Sequence, residues 1–121
     1  MKKILVIDDE PSITMILKEF LTDEGYEVYA LDNGDSALEK LNSGIIFDLI
    51  IVDLKIPGTS GKTLIKSIRE HPKLSEIPVI IITGFEKTSD DFPAEDTYQA
   101  LFTKPFMLEE VLDEINRLLS P

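Results

Sequence analysis

Four short apolar runs, each stopping on a polar residue, restrict what this chain can fold into. They are Lys3-Ile4-Leu5-Val6-Ile7 before Asp8-Asp9-Glu10, Leu49-Ile50-Ile51-Val52 before Asp53, Val79-Ile80-Ile81-Ile82 before Thr83, and the shorter Ala100-Leu101-Phe102-Thr103 before Lys104-Pro105. A strand with one face in water alternates apolar and polar residues, and none of these runs does so. Continuous Val/Ile/Leu describes strands covered on both faces, as in a parallel sheet between layers of helices. Strands of such a sheet point the same way, so their polar terminal residues collect along one edge. Acidic groups, a hydroxyl and a lysine then meet in a single crevice.

Helical patterns separate the runs. After β1 (about Lys3–Asp8), Ile13, Ile16, Leu17, Phe20 and Leu21 repeat at i, i+3 and i+4, the rhythm of a helix with one apolar face. Pro11 suits its first turn, where a missing N–H costs nothing, and Gly25 suits its end. Tyr26–Leu31 reads as β2, and Asp32-Asn33-Gly34 leads into a short helix with Ala37, Leu38 and Leu41 inward. Phe47–Val52 reads as β3, followed by a Pro57-Gly58 turn and a helix carrying Leu64, Ile65 and Ile68,. His71-Pro72 closes that helix, with His71 read as a surface cap, and Ile77–Ile82 reads as β4. Gly84–Gln99, rich in Ser, Asp and Glu and interrupted by Pro93, predicts only a short or irregular helix. The last helix runs from about Met107 to Leu119, with Leu108, Val111, Leu112, Ile115, Leu118 and Leu119 on one face. Five βα units in 121 residues imply one domain, 1–121, built as a doubly wound parallel sheet with helices on both faces.

Composition excludes several functions. Net charge is −11, from 23 acidic against 12 basic residues, so the basic footprint of a direct nucleic-acid binder is absent. No apolar run approaches the roughly 20 residues needed to span a bilayer. With no Cys, there are no disulfides and no thiolate metal sites, in keeping with a cytoplasmic protein.

The strand-end residues carry chemistry. Three neighbouring carboxylates cannot all stay ionised without a cation. Hard oxygen ligands without His or Cys select Mg²⁺, or Mn²⁺, over zinc. Asp9 and Asp53 are the expected direct ligands, Asp8 acts through water, and the backbone carbonyl of Lys55 completes the protein's share. A carboxylate beside such a cation can attack a phosphoryl group to form an aspartyl phosphate. The Lys104 ammonium and the Thr83 hydroxyl would then neutralise other phosphoryl oxygens. No separate general base accompanies them, so a modified protein is expected and not rapid turnover. Glu10 is read as a surface or helix-capping acid.

In order along the chain stand Asp8-Asp9, Asn33-Gly34, Asp53-Leu54-Lys55-Ile56-Pro57-Gly58-Thr59-Ser60-Gly61, Thr83-Gly84 and Lys104-Pro105-Phe106. Over essentially its whole length the chain resembles the receiver domains of bacterial two-component response regulators. The resemblance implies the flavodoxin-like strand order 2-1-3-4-5, which sets Asp8, Asp9 and Asp53 face to face. It implies Mg²⁺-dependent transfer of a phosphoryl group to Asp53 from a phosphohistidine on a sensor histidine kinase or histidine phosphotransfer protein. It also implies slow self-catalysed dephosphorylation, a cis Lys104–Pro105 bond that aims the lysine, and a downstream effector protein or domain as partner. A phosphorylation-dependent homodimer is compatible with it; nucleic acid and membrane are not direct partners. The family's switch moves the threonine hydroxyl toward the phosphoryl group and turns inward an aromatic three residues before the lysine. Here that position is Leu101, and Phe102 and Tyr98 cannot replace it without changing face. Lys55 and Phe85 flank the acceptor, where crowding would slow hydrolysis.

Two rival functions fit less well. A phosphohydrolase of the haloacid-dehalogenase kind wants Asp-x-Asp after its first strand and usually a cap insertion, whereas Asp8-Asp9 is adjacent and no room for a cap exists. A phosphorylation-independent pseudo-receiver usually lacks an acidic residue, the acceptor or the lysine, and all are present.

Overall fold

The computed structural model of the protein describes residues 1–84 and 92–120. Five strands, β1 (Lys3–Ile7), β2 (Glu27–Leu31), β3 (Leu49–Val52), β4 (Val79–Thr83) and β5 (Ala100–Thr103), form one sheet. All pairings are parallel, in the order β2-β1-β3-β4-β5. Helices α1 (Pro11–Asp23), α2 (Gly34–Leu41), α3 (Gly61–Glu70) and α4 (Leu108–Leu119) cover its two faces. On one face α2 and α3 bring Ala37, Leu41, Leu64, Ile65 and Ile68 onto Leu5, Ile7, Ile50, Val52 and Ile81. On the other, Leu17 and Leu21 of α1 and Val111 and Ile115 of α4 meet Ile4, Val6, Leu49, Ile51, Ile80 and Ile82. Alternate residues of one strand therefore feed two cores, which is why the runs show no alternation. Each such Val, Leu or Ile side chain stabilises the fold by roughly 1.5–3 kcal/mol relative to exposure.

Strand boundaries differ from expectation for local reasons. β4 begins at Val79 because Pro78 has no N–H for the ladder, although its carbonyl still accepts from Ile50. β3 begins at Leu49 because the Asp48 side chain turns to accept the Lys3 amide at 2.7 Å. Phe47, outside the strand, is nonetheless 1% exposed and meets Tyr29 edge to face. On α1 only Leu17 and Leu21 are buried, while Ile16, expected on the inner face, is 45% exposed. It borders a groove between α1 and α4. Between Gly84 and Gln99 the described residues hold one 3₁₀ turn, Glu95–Thr97, and Phe85 lies outside the described residues. His71 is the C-cap of α3, its Nδ1 accepting from the Lys73 amide at 3.0 Å. No helix among the described residues is long and apolar enough to cross a membrane.

Candidate functional site

Register assembles the site. Ile7 pairs with Leu31 on one side and Val52 on the other, so Asp8 and Asp53 each stand one residue past a paired position. Their amides continue the ladder, Asp8 donating to the Leu31 carbonyl at 3.0 Å and Asp53 to that of Ile7 at 2.9 Å. Thr83 pairs with Thr103, and the Lys104 amide donates to the Thr83 carbonyl at 3.0 Å. Four strands thus deliver Asp8, Asp53, Thr83 and Lys104 to one end of the sheet. The Lys104–Pro105 peptide bond is cis, as the resemblance implied.

Asp53 is 5% exposed, and three donors fix its carboxylate. Oδ1 accepts from the Thr83 hydroxyl at 2.8 Å and the Lys55 amide at 3.2 Å, and Oδ2 accepts from Lys104 Nζ at 2.7 Å. Asp8, 3% exposed, accepts the Glu10 amide at 2.9 Å and pairs with Lys104 at 2.9 Å. Burial pushes the Asp8 carboxyl above its ordinary value and the Asp53 charge adds to this, against the opposing pull of the Glu10 amide and Lys104,. Burial alone would lower the Lys104 ammonium. Its hydrogen bonds to Asp53, Glu10 and Asp8 outweigh that and hold it above its ordinary value.

Asp8, Glu10 and Asp53 bring carboxylate oxygens within 4.8 Å of one another. Asp9 is exposed and lines the same cleft of about 450 Å³ with Glu10, Asp53, Lys55, Thr83, Gly84 and Lys104. The structure therefore joins Asp8, Asp53, Thr83 and Lys104 through hydrogen bonds and ion pairs, brings in Lys55 by its backbone amide, and leaves Asp9 on the cleft wall. Glu10 joins the cluster through its 2.8 Å contact with Lys104. Sequence reasoning had set Glu10 aside, yet a carboxylate between a strand-end acid pair and a helix-starting Pro11 was the available signal.

The loop after Asp53 is held from two sides. Gly61, which opens α3, lies so close beneath that a Cβ there would sit 2.7 Å from the Asp53 carbonyl oxygen. A Cβ on Gly34 would overlap the Thr59 carbonyl. The Gly34 amide donates to the Pro57 carbonyl at 2.9 Å, and Asp35 Oδ1 accepts from the Thr59 amide at 3.1 Å and hydroxyl at 2.7 Å. Asn33 caps α2 by accepting the Ser36 amide at 2.7 Å. The Asn33-Gly34 pair thus both starts α2 and anchors the loop carrying Lys55.

The family model described as the response regulator receiver domain matches residues 4–116. The chain belongs to this receiver family. The receiver is 35% identical to the transcriptional regulatory protein DltR of Streptococcus agalactiae, over 93% of its own length and 50% of that protein's. It is also 35% identical to the transcriptional regulatory protein ResD of Bacillus subtilis, over 97% of the chain and 48% of the relative. It therefore spans about half the length of these relatives. Among solved structures, the response regulator TrrA of Thermotoga maritima, determined with Mg²⁺-BeF, superposes with a TM-score of 0.84 at 37% identity, covering 98% of this chain and 100% of that one. The chemotaxis response regulator CheY4 of Vibrio cholerae gives a TM-score of 0.84 at 30% identity, covering 98% and 99%.

The donor set of the receiver fits a hard divalent cation. It offers oxygen ligands only, two of the acids are buried, and one ammonium faces three carboxylates, leaving net negative charge at the sheet edge,. Receiver domains carry a divalent-metal site of this kind, and the TrrA structure holds Mg²⁺.

Proposed function

We propose that the receiver is the phosphoacceptor module of a two-component or phosphorelay system, and that Asp53 is its acceptor. The observation that carries this reading is the Asp53 carboxylate, buried and gripped by Thr83, Lys55 and Lys104. A fixed nucleophile needs no reorientation to react, which is most of what phosphoryl transfer asks of a protein. One Asp53 oxygen attacks the phosphorus of a phosphohistidine. The P–O bond forms, the P–N bond breaks and its electron pair returns to the imidazole. The Lys104 ammonium and the Thr83 hydroxyl then exchange the Asp53 oxygens for phosphoryl oxygens, and that exchange starts the conformational switch. Asp8, Asp9 and Asp53, with the Lys55 carbonyl, are the groups that would hold Mg²⁺. The cation supplies neutralisation of phosphoryl charge.

The phosphodonor would be a cytoplasmic sensor kinase or histidine phosphotransfer protein. The groove of about 780 Å³ beside Lys104, lined by Ile13, Ile16, Phe20, Phe106 and Met107, offers it an apolar footing next to the acceptor. The output is a downstream protein or a further domain, as the relatives' names as transcriptional regulators suggest for proteins about twice as long. Slow autodephosphorylation would end the signal.

The test is incubation with Mg²⁺ and acetyl phosphate, read by intact-protein mass spectrometry. One phosphate should be added, and Asp53→Asn or a chelator should abolish it. Label that persists in Asp53→Asn moves the acceptor elsewhere. Failure of wild type to label leaves the pseudo-receiver reading.

A further inference from the structure

Glu10 is the N-cap residue of α1, yet its side chain makes no hydrogen bond to the helix it begins. A short acidic N-cap such as Asp accepts an amide of the first turn, and the helix dipole favours any carboxylate there. Here the carboxylate forgoes that bond and reaches Lys104 Nζ at 2.8 Å, across 94 residues of sequence. The ammonium has three protons and three carboxylate partners, Asp53 at 2.7 Å, Glu10 at 2.8 Å and Asp8 at 2.9 Å. Its donor capacity is full. The three partners are not equivalent, for the Glu10 side chain is 55% exposed and those of Asp8 and Asp53 are 4% and 6%.

A phosphoryl oxygen entering the cleft can gain a Lys104 proton only by taking it from one of these carboxylates. On the reading given above, Asp53 and Asp8 are needed for the new bond and for the cation. The Glu10 carboxylate lies in the same acid cluster but is not among the groups that reading gives to the bond or to the cation. We propose that Glu10 is a positioning residue that keeps Lys104 anchored when Asp8 and Asp53 are engaged, and that it competes with the phosphoryl group for the lysine. This rests on Lys104 being a phosphoryl ligand. A water-exposed ion pair is weak and easily surrendered, so Glu10 acts as a threshold: an anion in the cleft recruits Lys104 only when it outbids one exposed carboxylate. A glutamine there keeps the size and removes both the competitor and one negative charge.

Beryllofluoride, the group bound with Mg²⁺ in the TrrA structure, is the probe, titrated at saturating Mg²⁺ and followed by amide chemical shifts. Glu10→Gln is expected to bind it roughly threefold more tightly than wild type, the size of an exposed ion pair. Asp32→Asn removes the same charge from the same edge of the molecule without touching Lys104, and is expected to give no gain. In the metal-free protein, the Lys104 ammonium protons should exchange with water faster in Glu10→Gln than in wild type. Equal or weaker beryllofluoride binding in Glu10→Gln, an equal gain in Asp32→Asn, or unchanged ammonium exchange overturns the proposal. If wild type itself takes neither beryllofluoride nor phosphate, the phosphoacceptor reading falls and this inference with it. If wild type is labelled and only the Glu10 effects fail, the inference alone is lost.

Discussion

Asp8 lies at 3% exposure, and burial pushes its carboxyl up. A raised carboxyl pKa means that the folded protein binds the proton more tightly than the unfolded chain does. Stability therefore falls as pH rises from 3.8 through the folded value, and at neutral pH the ionised group is a net cost,. Asp8→Asn is expected to stabilise the metal-free protein in urea unfolding at pH 7. Asp35 has the opposite sign. Its carboxyl is held below its ordinary value by the Thr59 hydroxyl and then the Thr59 amide. Its contribution is complete above 3.8 and is lost as pH falls through the lower folded value,. The Thr59 amide resonance, followed from pH 6 down to about 2, should move with an apparent midpoint below 3.8 in wild type and lose that transition in Asp35→Asn. A midpoint at or above 3.8 would contradict the contact.

At the scale of elements, the apolar runs were legible because strands buried on both faces leave no other pattern. The meeting of Asp53, Lys104 and Thr83 at one edge was legible because each ends such a run. The connections were not. Arg69, in the last turn of α3, donates to the carbonyls of Thr97 at 2.9 Å, Ser75 at 3.1 Å and Ile77 at 2.7 Å, and to Gln99 Oε1 at 3.0 Å. The same Gln99 oxygen accepts the Val79 amide at 2.7 Å. One guanidinium so fastens α3 to the starts of β4 and β5, and no local pattern in the sequence marks it, since its partners lie up to 30 residues away. Arg69→Ala would leave several partly buried carbonyls without a donor. It is expected to cost roughly 2–3 kcal/mol in denaturant unfolding, while a Lys replacement recovers only part because it lacks the planar fork. An Arg69→Ala protein of wild-type stability would remove this role. Ile16 shows the opposite failure of sequence reading. Helical periodicity placed it inward, but α1 turns Leu17 and Leu21 into the core with Ile13 and Phe20 packed against it, and leaves Ile16 at the rim of the groove beside α4.

Across the whole molecule, hydrophobic periodicity defines a parallel two-faced sheet but not the order of its strands, which the receiver resemblance supplied. It also could not say which acids face one another, because side-chain direction past a strand end depends on the turn that follows. Net charge is −11, concentrated in part on three acids around one ammonium, so a divalent cation is expected to stabilise the fold. At a Mg²⁺ concentration about 100 times the dissociation constant, unfolding free energy should rise by about 2.7 kcal/mol. Thermal unfolding with and without chelator measures this. The increment should shrink sharply in Asp53→Asn, and an equal increment in both proteins would place the ion elsewhere.

The staple between α2 and the β3–α3 loop has a consequence for how this surface can change. Connecting loops usually accept added or deleted residues cheaply, because closing a slightly longer loop costs little entropy. The stretch from Asp53 to Gly61 is different. It is gripped at Pro57 and Thr59 by Gly34 and Asp35, and pressed at Gly61 against its own beginning. A single residue inserted there would unseat the start of one helix and the foundation of another at once. The loop's length is thus fixed as tightly as that of a buried strand, although much of it lies at the surface.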